Sequence, residues 1–179
     1  MMNLAPSSRR DAESSVSGVD PELERLATGS LEELLRHIDV THHVHERAEL
    51  ERLAPVVARS GTPRLVRLVE AITADLLVHL SKEENILFPY ILEMEREQSI
   101  PPSPFGSIAH PIRVMDRDHR ALTELVVELH AVLDAGDAGT SELKDQLLRL
   151  EADLERHMLL EDGVLFPRSI ALEAELQGR

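Results

Sequence analysis

Residues 79–89 read HLSKEENILFP and residues 157–167 read HMLLEDGVLFP; each begins with a histidine, carries a glutamate four positions on and closes on Leu-Phe-Pro. On a helix, residues i and i+4 stand one above the other on the same face. Both pairs also interrupt apolar stripes. One stripe runs Leu65, Leu68, Ile72, Leu76, His79, Glu83, Leu87, and the other runs Leu143, Leu147, Leu150, Leu154, His157, Glu161, Val164. Burying an ionised carboxylate without a partner is very costly, so something must compensate Glu83 and Glu161. A third stripe, Ile112, Met115, Leu122, Val126, Leu129, Leu133, is interrupted by His119, and the first long helix offers His42, His43 and His45. If the two halves of the chain face each other, four imidazoles and two carboxylates surround one point. Such a set suits a pair of iron or manganese ions, because carboxylates bridge two metals and offset their charge while imidazoles fill terminal positions. Mg²⁺ or Ca²⁺ would favour an all-oxygen shell. A single His-x-x-x-Glu is commonly a surface pair; its repetition inside two apolar stripes is what points to metal.

The remaining residues of these types read differently. In the first helix, the stripe Leu31, Leu35, Ile38 projects onto His42, whereas Leu50 and Val57 project back by heptads onto His43, so periodicity leaves both open. His37, His110 and His130 fall outside the shared level or near loops. Lys82 lies round the helix from Glu83 and reads as solvated, as do the acidic clusters Glu22–Glu33 and Glu49–Glu51. Leu87-Phe88-Pro89 and Leu165-Phe166-Pro167 read as core packing and helix-end signals with no chemical role.

Helices must position these residues. Asp20-Pro21-Glu22 reads as a short helix start with Pro at the first helical position. Ser30-Leu-Glu-Glu33 has capping-box spacing, in which Glu33 reaches back to the cap, and opens the first long helix, which Ser60-Gly61 ends. Thr62-Pro63 starts a second helix, expected to run to about Glu93. Pro101, Pro102, Pro104 and Gly106 make residues 98–111 a crossover loop. A third helix follows from Pro111, Gly136 and Gly139 mark a turn, and the last helix starts near Ser141. No segment alternates with period two. The reading is all-α: an up-down four-helix bundle over residues 21–176 with a short extra N-terminal helix, preceded by a flexible lead-in over 1–20. The two motifs lie 78 residues apart, and His43 and His119 stand 36 and 38 residues before His79 and His157, which indicates a duplicated helical hairpin.

Composition narrows the function. The 179 residues carry 19 Lys+Arg against 33 Asp+Glu, a formal charge of −14, which argues against nucleic acid as a partner. There is no cysteine, so disulfides, thiolate ligands and thiol catalysis are excluded within these residues. No apolar run reaches the ~20 residues of a membrane span, and MMNLAPSSRRDAESS lacks the apolar stretch of a secretory signal, so the expected location is the cytoplasm.

The segments THH…AEL (41–50), HLSKEENILFP, PIRVMDRDH (111–119) and HMLLEDGVLFPRS (157–169) resemble the hemerythrin-like domain of the repair-of-iron-centres proteins, bacterial di-iron proteins linked to nitric oxide and oxidative stress. The likeness covers about residues 30–172. It implies a hemerythrin-like bundle whose ligands are His43, His79, Glu83, His119, His157 and Glu161, with His42 in reserve. It also implies two iron ions with an oxo or hydroxo bridge, one ion taking His43 and His79, the other His119 and His157, and Glu83 and Glu161 bridging. The expected small-molecule partners are NO, O2 or H2O2, and the expected macromolecular partners are damaged iron–sulfur proteins. The alternative role is a hemerythrin-like O2 or NO carrier or sensor without turnover. Many members carry a cysteine-bearing module that has no counterpart here. The oxygen-carrying relatives use a third-helix His-x-x-x-His, absent here because Thr123 follows His119 by four, and a His-x-x-x-x-Asp that Asp162 satisfies, which makes Asp162 a rival to Glu161 as ligand. Glu84 is the repeat counterpart of Asp162, which suggests that both are outer residues of the paired motif.

Overall fold

A computed structural model describes residues 21–135 and 141–179. The lead-in over 1–20 and the Gly136/Gly139 turn lie outside the described residues. Eight α-helical segments are seen: α1 (Pro21–Thr28), α2 (Leu31–His37), α3 (Val44–Ser60), α4 (Pro63–Lys82), α5 (Phe88–Glu97), α6 (Ala109–Asp134), α7 (Ser141–Leu160) and α8 (Phe166–Gln177). Three π-helical turns, Ile38–His43, Glu83–Leu87 and Glu161–Leu165, weld α2 to α3, α4 to α5 and α7 to α8. The result is four rods, with no strand among the described residues. α3 packs on α7 and α4, and α6 packs on α4 and α7, which closes the ring of an up-down bundle. The short helix α1 is tied on by Arg168 of α8, which donates to the carbonyls of Leu26 and Gly29.

Local sequence explains most of the boundaries. Ser30 Oγ accepts the Glu33 amide at 3.1 Å and caps α2. The reciprocal half of the expected capping box is absent: Glu33 pairs with Arg25 instead. Glu95 of α5 accepts the Leu31 and Glu32 amides at 2.6 and 2.7 Å in its place. Gly61 takes the left-handed conformation (φ 70°) that ends α3. Two boundaries differ from the sequence reading. The second rod runs to Glu97, four residues past expectation, and α6 begins at Ala109, with Pro111 in its first turn, where a missing N–H has no intrahelical acceptor to lose.

Leu-Phe-Pro also departs from expectation, since neither motif ends a helix. Proline inside an α-helix lacks a donor and strikes the carbonyl four residues back. Here the chain widens one turn ahead of Pro89 and of Pro167, with the Phe88 and Phe166 amides donating to the carbonyls of Glu83 and Glu161, and the rod continues.

Two separate apolar clusters fill the bundle. One holds Leu53, Leu65, Ile72, Leu76, Leu129 and Leu154; the other holds Leu34, Ile38, Leu87, Ile91, Met94 and Leu165. Every rod passes from one cluster to the other, and buried histidines and glutamates occupy the level between. Glu173, buried on α8, fixes the start of α6 by accepting from the Ile108 amide (2.8 Å), Ser107 Oγ (2.7 Å) and Tyr90 Oη (3.3 Å).

Candidate metal centre

His43, Glu83, His157 and Glu161 form one group of buried side chains whose donor atoms lie within 4.8 Å of one another, and His79, Glu83, His119 and Glu161 form a second. All six sequence candidates are thus brought together, and the two glutamates belong to both groups. Glu83 Oε2 stands 3.3 Å from His43 Nε2 and 3.8 Å from His157 Nε2, while its Oε1 faces His79 Nε2 at 3.4 Å. Glu161 Oε1 stands 3.2 Å from His157 Nε2 and Oε2 stands 3.1 Å from His119 Nε2. Each carboxylate therefore turns one oxygen to each group.

The grouping of the histidines corrects the sequence reading. His43 stands with His157 (Nε2 to Nε2 3.3 Å) and His79 with His119 (ring centroids 4.8 Å apart). The expected pairs, His43 with His79 and His119 with His157, do not form. Proximity along the chain does not decide the matter, because α3 lies against α7 and α4 against α6, so each pair draws one histidine from each half of the duplication.

His42 faces α7. Its Nδ1 lies 3.0 Å from Asp153 Oδ1 and its ring stacks on that of His157. Asp162 is an outer residue, 3.2 Å from His119 Nδ1, and Glu84 stands likewise 2.8 Å from His43 Nδ1. Glu84 is held in turn by Arg47, and Lys82, expected to be solvated, donates to Asp118 at 2.6 Å. His110 bonds the Phe105 carbonyl and His130 pairs with Glu151, both away from the cluster. The Phe rings of the two motifs also contribute: Phe88 lies nearly parallel to His43 and Phe166 to His119, walling the outer faces of those imidazoles.

One residue was missed. Glu46 is fully buried and its Oε1 lies 2.9 Å from His157 Nδ1. The signal was present in the run His42-His43-Val44-His45-Glu46, where a carboxylate sits one turn after His42. Glu49, expected on a solvated face, is buried as well and pairs with Arg52.

The electrostatics fit cations at this level. Both oxygens of Glu83 and of Glu161, together with His119 Nε2, are buried without a hydrogen-bond partner in the chain. Neither glutamate has a Lys or Arg ion pair among the described residues. Donor atoms about 2.1 Å from a shared ion sit roughly 3 Å apart, close to the spacing of these nitrogens and oxygens. In the metal-free chain, protons stand where that positive charge would be. Burial and the nearby Glu161 carboxylate push the Glu83 carboxyl well above its usual range. Burial also raises Glu161, but His157 and His119 outweigh it and hold that carboxyl well below. Burial lowers His119, yet Asp162 and Glu161 reverse this and bring it to about 9. His157 is likewise raised by Glu161 and Glu46 against its burial. His79, buried and beside His119 and His157, falls to about 4. A cation held at the Nε2 atoms would displace the proton from His119 and His157 and favour the ionised form of Glu83.

The family described as Hemerythrin HHE cation binding domain matches residues 34–169. Among curated proteins, the chain is 31% identical to the iron–sulfur cluster repair protein YtfE of Enterobacter sp. (strain 638), over 88% of this chain and 79% of that protein. It is 30% identical to the protein of that name from Edwardsiella ictaluri (strain 93-146), over 78% of this chain and 66% of the relative. The likeness to the Escherichia coli O157:H7 protein is 29% over 88% and 79%. No helix among the described residues is long and apolar enough to cross a membrane. With a bundle of four rods, two His-x-x-x-Glu motifs meeting at one buried level and a family match that spans most of its length, the chain belongs to the hemerythrin HHE cation-binding family.

Proposed function

We propose that His43, His79, Glu83, His119, His157 and Glu161 hold two iron ions in a non-haem di-iron centre, with Glu83 and Glu161 spanning both ions, inside one hemerythrin-like unit over residues 21–176. The observation that carries this is the turning of each buried carboxylate toward two separate histidine pairs. Iron bound there supplies one-electron chemistry and open coordination positions for NO, O2 or peroxide. The chain's own residues shape that chemistry. Glu84 and Asp162 accept from the outer imidazole nitrogens of His43 and His119 and so aim their Nε2 atoms inward. Phe88 and Phe166 keep water from the outer ring faces.

The physiological reading is a role in the response to nitric oxide and oxidative stress, alongside damaged iron–sulfur proteins in the cytoplasm. It is supported by similarity to relatives named for cluster repair and by a donor set with only two carboxylates. Two carboxylates offset less of the iron charge than four would, which suits release of the metal to an acceptor. Iron per chain and the near-ultraviolet absorption of protein purified without added metal test the centre. Two irons per chain, with both iron and absorption diminished in His79→Ala, is the expected result; metal-free protein overturns it. Stopped-flow mixing of the reduced protein with NO or O2 then separates the roles, since a fully reversible adduct indicates a carrier or sensor.

A further inference from the structure

The duplication makes each histidine pair a control for the other. In chain order His43 corresponds to His119, His79 to His157 and Glu83 to Glu161, yet the outer nitrogens of the imidazoles are not treated alike. In the group of His43 and His157 both Nδ1 atoms face carboxylates: Glu84 at 2.8 Å, itself held by Arg47, and the fully buried Glu46 at 2.9 Å. In the group of His79 and His119 the support is weaker. Asp162, half exposed, stands 3.2 Å from His119. His79 Nδ1 is buried with no hydrogen-bond partner, and Asp118, the nearest carboxylate, lies 3.7 Å away on the Lys82 ammonium. The larger part of the asymmetry, between His157 and His79, has a plain origin in the sequence: three residues after His43 comes Glu46, and three after His119 comes Leu122, buried and apolar.

We propose that Glu46 is a positioning residue that makes the two metal positions unequal, so that the ion between His79 and His119 leaves while the ion between His43 and His157 is retained. A carboxylate accepting Nδ1–H fixes the tautomer that offers Nε2 to the metal, locks the ring plane and raises the basicity of the ligand nitrogen. Its charge also offsets part of the ion's charge in a buried setting, where that attraction is little screened. His79 has no acceptor on Nδ1, and the charge of Asp118, 3.7 Å away, is largely offset by the Lys82 ammonium. A centre built this way gives up one ion and keeps the other, which holds Glu83 and Glu161 in place for reloading.

This inference rests on the two-metal reading, and its test separates the two. The full chain is loaded anaerobically with two equivalents of ferrous ion, its iron content is measured, and release to excess ferrozine is followed. Fewer than two bound ions at the outset overturns the two-metal reading itself. Given two, the native protein is expected to release one ion at least tenfold faster than the other, with His79→Ala retaining only the slow one. Glu46→Leu, which reproduces the Leu122 side, is expected to speed the slow phase by about 10–100-fold and leave the fast phase unchanged. Glu46→Gln keeps an acceptor oxygen without the charge and should fall between; it is also the variant to read if Glu46→Leu does not fold. Single-phase release of both ions from the native protein overturns the proposal. So does an unchanged slow phase, or an equal acceleration of both phases, in Glu46→Gln.

Discussion

Glu83 and Glu161 occupy equivalent positions in the two motifs, yet in the metal-free chain one is driven toward protonation and the other away from it. Two carboxylates at one buried level cannot both ionise unless matching positive charge is present, and His157 and His119 supply it to Glu161 first. The linkage this creates has a definite sign. His119 has a folded pKa of about 9 against an ordinary 6.5, and His157 is raised in the same direction. Groups raised on folding contribute stability that is complete below the unfolded pKa and is lost as pH climbs through the folded value. The metal-free protein should therefore lose stability between about pH 6.5 and 9. Urea unfolding at stepped pH checks this. On the proposed di-iron reading the imidazoles of iron-loaded protein would be neutral and coordinated, and that form should show a flatter alkaline limb. Removing one of the carboxylates proposed to span the ions should be severe: Glu161→Gln is expected to cut bound iron at least tenfold at a fixed chelator concentration, measured by iron content after dialysis.

At the scale of elements, the π turns and the crossover segment do the positioning. The turns at Glu83–Leu87 and Glu161–Leu165 let each rod continue past a proline without striking the preceding carbonyl, so that Phe88 and Phe166 lie beside imidazoles. A third turn ends on His43, so three of the four rods carry a widened turn at the level of the site. The fourth rod, α6, is placed from its start by Glu173, which accepts from three donors. Glu173→Ala strips those donors of their acceptor in a buried setting. A loss of about 2–4 kcal/mol is expected, read as a lower urea midpoint in the metal-free protein. Because His119 lies on α6, the same variant should also bind iron more weakly, a coupling visible as a smaller rise in melting temperature at a given concentration of added ferrous ion.

For the whole molecule, the metal level is a polar slab between two apolar clusters that do not merge. Each cluster stabilises one end of the bundle, while the slab buries two carboxylates whose charge partners among the described residues are histidines alone. Metal binding should consequently act as a clamp between the ends. A ligand that binds only the folded state at 100 times its dissociation constant adds about 2.7 kcal/mol, so removing iron should lower the melting temperature by several degrees. Calorimetry of loaded and chelated protein measures this. Truncating Leu65, buried in the cluster formed by α3, α4, α6 and α7 and near the end of α4 remote from His79, is expected to cost about 2–5 kcal/mol in both forms.

Much of this was legible in the order of residues alone. Helical periodicity, capping residues and Gly61 mark most of the rods. A histidine and a glutamate replacing apolar residues twice in the same register reveal the types of donor that must meet in the core, because i and i+4 share a face whatever the rods pack against. Leu-Phe-Pro misled, since a proline reads as a stop unless the turn ahead of it can widen, and widening depends on what the rod packs against. Only the tertiary structure decided which histidines stand together and that Glu46 lies behind His157; between His42 and His43 periodicity left both open, the family resemblance favoured His43, and it is His43 that faces the glutamates. Those outcomes depend on the rotation and offset of α3 against α7 and of α4 against α6. Side chains more than a hundred residues apart in sequence meet there at 3 Å, and no local period encodes that relation.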